Sequence, residues 1–299
     1  MQIDIKELSK NYGNFCAVNK VSFSCCNGRL TALVGRNGSG KTTAIRSILG
    51  LIKRDSGSIY IDGKKSELDI KNVGYLSEER GLFLKETILN QLVFFAKLKG
   101  MGYKDALKSI DLWLERLEVS EYRKRPLESL SKGNQQKIQM IASLVHNPEL
   151  IIFDEPFSGL DPVNMQMVIQ LFKQLREEGK CILIVSHQLP LIENICEDVC
   201  IMHKSNIIYS GSIQNLKALH GGDYIKFSLK TQAEIPECMN AVEYAPLNYK
   251  VKINSKTDDD FNVFIQRVAD SKLLISSIER SNKTLQEIFL DLAGEEEIQ

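Results

Sequence analysis

The chain lacks an excess of charge of either sign: its 299 residues include 38 Lys and Arg and 38 Asp and Glu, so its formal net charge is zero. This balance argues against a dedicated nucleic-acid binder, because such proteins usually carry a basic excess. No run approaches the ~18 apolar residues of a membrane-spanning helix. Residues 1–8 alternate polar and apolar side chains and carry charge early, which predicts a strand rather than a signal peptide. We therefore expect a chain that is soluble by itself.

The chain also lacks any C-x-x-C pair, although it has seven cysteines. Their number is odd, and several lie in apolar runs such as residues 181–185. This usage predicts buried thiols in a reducing compartment and excludes a disulfide framework or a zinc site of ordinary spacing.

A glycine-rich loop is the first motif that carries chemistry. It lies between an apolar run at 30–34 and a helical segment at 44–49, and its residues are Gly35, Arg36, Asn37, Gly38, Ser39, Gly40, Lys41, Thr42 and Thr43. The spacing fits the P-loop pattern G-x-x-x-x-G-K-[ST]. Glycines let backbone N–H groups turn around a phosphate chain, and the following helix directs the positive end of its dipole at the same phosphates. Lys41 then reaches the outer phosphates and the Thr42 hydroxyl can bind Mg²⁺.

The hydrophobic pattern predicts an α/β fold. Residues 1–34 and 59–61 indicate strands with antiparallel turns, and a helical period runs from 86 to about 146, with its last helix at 137–145. Continuous apolar runs at 150–153 and 181–185 are typical of buried parallel strands. The sequence thus predicts a P-loop NTPase core with a mostly parallel sheet, an antiparallel β subdomain and an inserted helical subdomain at about 86–146.

A boundary is expected at residues 220–222, which read His-Gly-Gly. Beyond it, alternating strands at 225–229 and 249–253, a helix at 261–268, a strand at 273–278 and a helix at 285–292 indicate a small α+β domain over 222–299. This domain contains no recognisable catalytic motif.

Further motifs follow the P-loop in an informative order. Two carboxylates, Asp154 and Glu155, follow the apolar run 150–153, and His187 follows the run 181–185. Residues 130–136, which precede Asp154, read Leu-Ser-Lys-Gly-Asn-Gln-Gln, and residues 158–161, which follow Glu155, read Ser-Gly-Leu-Asp. This order resembles the ATP-binding subunit, or cassette, of ABC transporters, and the resemblance covers residues 1–218.

The resemblance implies a role for each motif residue. Asp154 and Thr42 would hold Mg²⁺, Glu155 would act as general base, and His187 would contact the γ-phosphate of ATP. Tyr12 matches the aromatic residue that stacks on adenine. In the family a second cassette, either another copy or a paralogue, completes each ATP site in trans, and the positions that match those trans residues are Ser131, Gly133 and Asp161.

Departures from the family pattern point to one branch. Lys132 and Asn134 replace a glycine and a glutamine of the usual Leu-Ser-Gly-Gly-Gln, and Glu78 stands where a glutamine that touches Mg²⁺ and water is usual. These features resemble cassettes that pair with separate ABC-2-type permeases, including sodium, drug and peptide exporters with a C-terminal accessory domain. That branch implies an exporter subunit on the cytoplasmic face of the cell membrane.

Other P-loop proteins remain as alternatives. A soluble ABC ATPase that acts on ribosomes usually has two cassettes in one chain, and a DNA-repair ATPase has a long coiled coil, whereas this chain has one P-loop and a compact helical block. A P-loop kinase would not explain Ser131 and Gly133. A degraded, binding-only cassette would not retain Lys41 together with Glu155.

Overall fold

The computed structural model describes residues 1–79, 81–220, 223–236, 241–253, 259–271 and 273–294. The chain divides into two compact units, Met1–Ser212 and Ile213–Gln299. Residues 221 and 222, at the boundary expected from sequence, and Cys238 lie outside the described residues. The division falls between Ser212 and Ile213.

The first unit alternates strands and helices along the chain. Its elements are β1 (Gln2–Tyr12), β2 (Phe15–Cys26), β3 (Arg29–Val34), α1 (Lys41–Ile48), β4 (Ser56–Ile61), β5 (Lys64–Lys65), β6 (Val73–Leu76), α2 (Ile88–Leu98), α3 (Tyr103–Arg116), α4 (Lys132–Leu144), β7 (Leu150–Asp154), α5 (Pro162–Glu177), β8 (Cys181–Ser186), α6 (Leu189–Ile195), β9 (Asp198–His203) and β10 (Asn206–Ser212). Short 3₁₀ turns lie at Ile70–Asn72, Ser120–Tyr122 and Leu127–Ser129.

The central sheet of this unit has the strand order β10-β9-β3-β8-β7-β6. β10 pairs antiparallel with β9, and all other neighbours pair in parallel. Every residue of β7 and β8 is buried, as expected for parallel strands that are covered on both faces. The mostly parallel sheet predicted from the sequence is therefore confirmed.

A second sheet is antiparallel, with the order β2-β1-β4-β5. Strands β1 and β2 form a hairpin in which Tyr12 pairs with Phe15 across a turn at Gly13 and Asn14. Gly13 has a φ of 57°, a left-handed conformation that glycine adopts without strain. β1 extends past the predicted strand end at Leu8, because its last residues are partly or fully exposed and so show no apolar alternation.

The helices α2, α3 and α4 of the inserted region pack against one another, and α4 also contacts β6. A Cβ on Gly74 of β6 would lie 2.3 Å from the carbonyl oxygen of Ser143 in α4. The helix therefore approaches the strand so closely that only glycine fits at this position.

The start of α4 differs from the sequence prediction. The predicted helix begins at residue 137, whereas α4 begins at Lys132. Ser131 caps the helix, since its side chain accepts a hydrogen bond from the N–H of Asn134 at 3.3 Å.

The second unit consists of α7 (Ile213–His220), β11 (Asp223–Leu229), β12 (Val242–Ala245), β13 (Asn248–Ile253), α8 (Asp259–Asp270), β14 (Ile275–Asn282) and α9 (Leu285–Ala293). Its antiparallel sheet has the order β12-β13-β11-β14. The Phe227 ring packs against Phe264 of α8, with ring centroids 5.3 Å apart. The sequence does not predict β12, because three of its four residues are exposed.

Most of the cysteines that the structure describes are buried, as predicted from the apolar runs in which several of them lie. Cys25, Cys181, Cys196 and Cys200 are buried and reduced. Cys26 is half-buried, and Cys16 is exposed on β2.

Candidate active site

The candidate site residues follow the carboxyl ends of neighbouring parallel strands. The P-loop follows β3, the segment with Glu78 follows β6, Glu155 follows β7 and His187 follows β8. The strand register places Val34 beside Ser186, and Asp154 beside Val185. The four segments therefore meet at one edge of the sheet, where open α/β sheets bind their ligands.

The P-loop folds around the side chain of Lys41. Its Nζ donates hydrogen bonds to the carbonyl oxygens of Gly35, at 2.7 Å, and Arg36, at 3.1 Å. Gly40 has a φ of 104°, and a Cβ there would lie 2.2 Å from the carbonyl oxygen of Ala17, so this position requires glycine. No acidic residue lies in the first turn of α1, which leaves the positive helix end available to an anion.

A cleft of about 370 Å³ opens beside the P-loop. Its lining residues are Phe15, Ala17, Asn37, Gly38, Gly40, Lys41, Thr42, Thr43, Glu78, Asp154 and Glu155. Most of the predicted ATP-binding residues are in this set. Gly35 and Arg36 instead hold the Lys41 ammonium through their carbonyl groups, and Ser39 is buried within the loop.

Asp154 has the environment of a metal ligand. Its side chain is buried, with 2% of the residue exposed, and its Oδ2 atom has no hydrogen-bond partner among the described residues. Burial raises the pKa of Asp154 from its ordinary value of 3.8 to about 6, and the negative charges of Glu78 and Glu155 raise it further toward that value. A buried carboxylate oxygen without a partner, in a cleft that Thr42 also lines, fits an oxygen-binding cation such as Mg²⁺.

The environment of the cleft also affects the pKa of Lys41. Burial lowers the pKa of Lys41, while the carboxylates of Glu155, Asp154 and Glu78 act in the opposite direction. Among the described residues, no three acidic, histidine or cysteine side chains are arranged to hold a metal alone. A cation at Asp154 would therefore take further ligands from Thr42, water and the phosphates of a bound nucleotide.

Glu155 is held in a fixed orientation by the end of β8. Its Oε1 accepts a hydrogen bond from the main-chain N–H of His187 at 3.1 Å and lies 2.7 Å from the ring Nδ1. Its Oε2 accepts a hydrogen bond from the Ser186 hydroxyl at 3.3 Å. The φ of Glu155 is 50°, a conformation that few residues other than glycine adopt and that costs about 1–3 kcal/mol. The carboxylate is thus positioned in the cleft rather than free to rotate.

His187 contacts Glu155 but is not one of the lining residues of the cleft. Because a carboxylate only accepts hydrogen bonds, the contact requires a proton on Nδ1. The other ring nitrogen, Nε2, is then free to accept a proton or a hydrogen bond.

Tyr12 and Phe15 occupy different positions relative to the cleft. Tyr12, the predicted adenine contact, is not a lining residue, whereas Phe15 lines the cleft. The Tyr12 ring instead lies 5.2 Å from the ammonium of Lys10. Sequence reasoning missed Phe15, although the two rings are paired across one hairpin turn and so project from the same face.

The three residues predicted to act in trans lie outside the cleft. Ser131 caps α4, and Asp161 caps α5 by accepting hydrogen bonds from the N–H groups of Val163, at 3.0 Å, and Asn164, at 2.9 Å. The Asn164 amide also donates to the Asp161 carboxylate. A Cβ on Gly133 would lie 3.3 Å from the Asn164 Nδ2 atom, so the Asn164 amide lies close to the start of α4. No sequence motif identifies it.

Gln139 is another residue near the site that the sequence analysis did not identify. From α4 its buried amide donates to the carbonyl oxygens of Ser77, at 3.0 Å, and Glu79, at 3.1 Å. Helix α4, which Ser131 caps, therefore holds the segment that carries Glu78.

An apolar groove lies next to this segment. It has a volume of about 800 Å³ and is lined by Leu82, Phe83, Leu84, Lys85, Glu86, Asn90, Gln91 and Phe94. Phe83 and Phe94 are 55% and 47% exposed, respectively, and their ring centroids lie 6.2 Å apart. Large apolar side chains at such exposure, grouped together, are typical of a contact surface.

The sheet edge, the P-loop, the unpartnered Asp154 oxygen and the oriented Glu155 define a P-loop ATPase. A family model described as "ABC transporter" matches residues 18–158. The chain is 35% identical to the uncharacterized ABC transporter ATP-binding protein YhaQ of Bacillus subtilis (strain 168), over 98% of each chain. The chain therefore belongs to the ATP-binding proteins of ABC transporters.

Two further similarities support this family. The linearmycin resistance ATP-binding protein LnrL of Bacillus subtilis (strain 168) is 33% identical, over 75% of this chain and 73% of LnrL. A solved structure described as the ATP-binding subunit of an ABC transporter superposes with a TM-score of 0.67 at 26% identity, over 73% of this chain and 93% of that chain. No helix in the ranges that the structure describes is long and apolar enough to cross a membrane.

Proposed function

We propose that this chain is the ATP-hydrolysing subunit of an ABC exporter, which drives a separate ABC-2-type membrane permease from the cytoplasmic face of the cell membrane. One observation carries the proposal: Ser131, Gly133 and Asp161 lie outside the cleft that most of the predicted ATP-binding residues line. A site divided in this way needs a second cassette, either another copy or a paralogue, to become complete.

The cleft residues have complementary roles in this proposal. The P-loop amides and Lys41 bind the phosphates of ATP. Phe15 and Tyr12, on either side of the hairpin turn, are the aromatic residues that we assign to adenine binding. Thr42 and Asp154 hold Mg²⁺, which neutralises charge on the phosphates when it is bound. Glu155 accepts a proton from the attacking water, and His187 fixes the orientation of the Glu155 carboxylate.

Dimer closure links ATP binding to motion. ATP held by the P-loop of one chain would be contacted by Ser131 and the Gly133 N–H of the other, at the positive end of α4. Such contacts form only in the closed dimer, so ATP stabilises that state and hydrolysis releases it. Gln139 connects the same helix to the segment with Glu78. A movement of α4 on dimer closure would therefore be transmitted to that segment and to the neighbouring groove.

The groove is the surface we assign to the permease. It lies a few residues after Glu78 and presents exposed Phe83 and Phe94 with Lys85 and Glu86 at its polar rim, which suits an amphipathic helix. Export rather than import follows from the branch resemblance and from the resistance function in the name of LnrL. The second unit, 213–299, corresponds to the accessory domain of that branch.

Co-purification tests the permease assignment. An affinity-tagged chain, expressed in its own cells and extracted from membranes with detergent, should retain a protein with several membrane helices and no P-loop. Phe83→Ser with Phe94→Ser should abolish the association, while Leu112→Ser, an equally exposed leucine on α3 outside the groove, should not. Recovery with ribosomes or DNA, and no membrane protein, would support the soluble alternative instead.

A further inference from the structure

The part of the cleft lining that the structure describes contains more acidic than basic side chains. Three carboxylates, those of Glu78, Asp154 and Glu155, line it, and Lys41 is the one basic side chain among its lining residues. One of the three carboxylates, Glu155, is engaged by His187. Asp154 is not: it is buried, and its Oδ2 atom has no partner among the described residues.

Glu78 distinguishes this cleft from that of a cassette with glutamine at the same position. A glutamine side chain is neutral, whereas Glu78 places a further carboxylate in the cleft that Asp154 lines. The two groups interact, since burial and then the charge of Glu78 raise the pKa of Asp154. Gln139 fixes the backbone on both sides of Glu78 through Ser77 and Glu79, so the charge stays near the cleft.

Metal-free ATP is an anion that this arrangement repels. The P-loop amides attract the phosphates, but each cleft carboxylate opposes them. At an effective dielectric constant of about 20, one unit charge at about 8 Å changes a binding constant by about tenfold or more at low ionic strength. A divalent cation reverses the balance, since the unpartnered Asp154 oxygen and Glu78 both attract it.

We propose that Glu78 makes a divalent cation a requirement for nucleotide binding itself, and not only for hydrolysis. The inference rests on the proposed function, because it assumes that the cleft binds ATP. The cation and the nucleotide then enter as one complex: no three acidic side chains among the described residues are arranged to hold the metal alone, and the nucleotide alone is repelled.

Equilibrium binding of ATP, measured by calorimetry without turnover, tests this inference. The native chain should bind ATP at least about tenfold more weakly in EDTA than in Mg²⁺. Glu78→Gln should regain about tenfold in EDTA, and this gain should shrink as salt is added. Glu79→Gln is the matched control: it removes the same charge from the next residue, which is exposed, contacts Arg46 and does not line the cleft, and its binding should equal that of the native chain.

The outcomes separate the inference from the function on which it rests. Equal ATP affinity in EDTA and in Mg²⁺ for the native chain would overturn the inference and leave the ATPase assignment intact. The same holds if Glu78→Gln and Glu79→Gln bind ATP alike in EDTA. If the native chain binds ATP in neither buffer, the proposed function itself fails.

Discussion

Glu155 and His187 are bound to each other twice, through the main-chain N–H of His187 at 3.1 Å and its ring Nδ1 at 2.7 Å. Both contacts reach the same carboxylate oxygen, so the end of β8 determines where the carboxylate of Glu155, the proposed base, points. Position and proton affinity both affect a general base. His187 is therefore a positioning residue for Glu155.

His187→Ala should lower kcat for ATP hydrolysis by about 10²-fold, the lower range for losing an oriented acid–base group. ATP affinity should change little, because the ring does not line the cleft. Steady-state kinetics together with calorimetric binding separate the two effects. His220→Ala, on the exposed end of α7, is the control, and retention of native kcat by His187→Ala would contradict the positioning role.

Asp154 should make the metal-free protein less stable as pH rises. Its pKa is raised from 3.8 to about 6 by burial and neighbouring carboxylates, so the folded state binds the proton more tightly and stability falls as pH increases between these values. In EDTA at pH 7.5, Asp154→Asn should therefore stabilise the fold by roughly 2 kcal/mol, and at pH 4 by little. Urea denaturation at both pH values measures the difference.

The control for this prediction is Glu149→Gln, an exposed residue just before β7, which should change stability by less than about 0.5 kcal/mol. Addition of Mg²⁺ and ATP should stabilise the native chain more than Asp154→Asn. A metal-free Asp154→Asn protein that is less stable than the native chain at pH 7.5 would show that the carboxylate is not under electrostatic strain.

Sequence reasoning succeeded where the chemistry is contiguous along the chain. The P-loop, Asp154 and Glu155 follow apolar runs whose burial is visible from composition, and the structure brings them into one cleft. Phe15, Gln139 and Asn164 were missed because their partners are distant in sequence or placed by helix packing. Likewise, the positive φ of Glu155 results from the tertiary fold, and no residue pattern predicts it.

Asn164→Asp should weaken the arrangement of Asp161 at the start of α5. The new carboxylate would face that of Asp161, and the hydrogen bond that the Asn164 amide donates to Asp161 would be lost. Loss of a hydrogen bond to a charged group predicts about a tenfold decrease in ATPase activity. ATP binding by the single chain should not change, since Asn164 does not line the cleft.

Asn194→Asp serves as the matched control, because the Asn194 amide contacts only its own helix, at the Pro190 carbonyl oxygen 2.9 Å away. Native activity in Asn164→Asp would show that the Asp161 cap works without this amide. A parallel loss of single-chain ATP affinity would instead indicate general damage to the fold.

The composite ATP site is tested most directly by the association state of Glu155→Gln on a sizing column. This variant keeps the cleft but cannot take the proton from water, so with Mg²⁺ and ATP it should elute as a dimer and with ADP as a monomer. Adding Ser131→Ala to it should remove the dimer while ATP binding to the single chain persists. A Glu155→Gln protein that binds ATP and yet remains monomeric would contradict the two-cassette account.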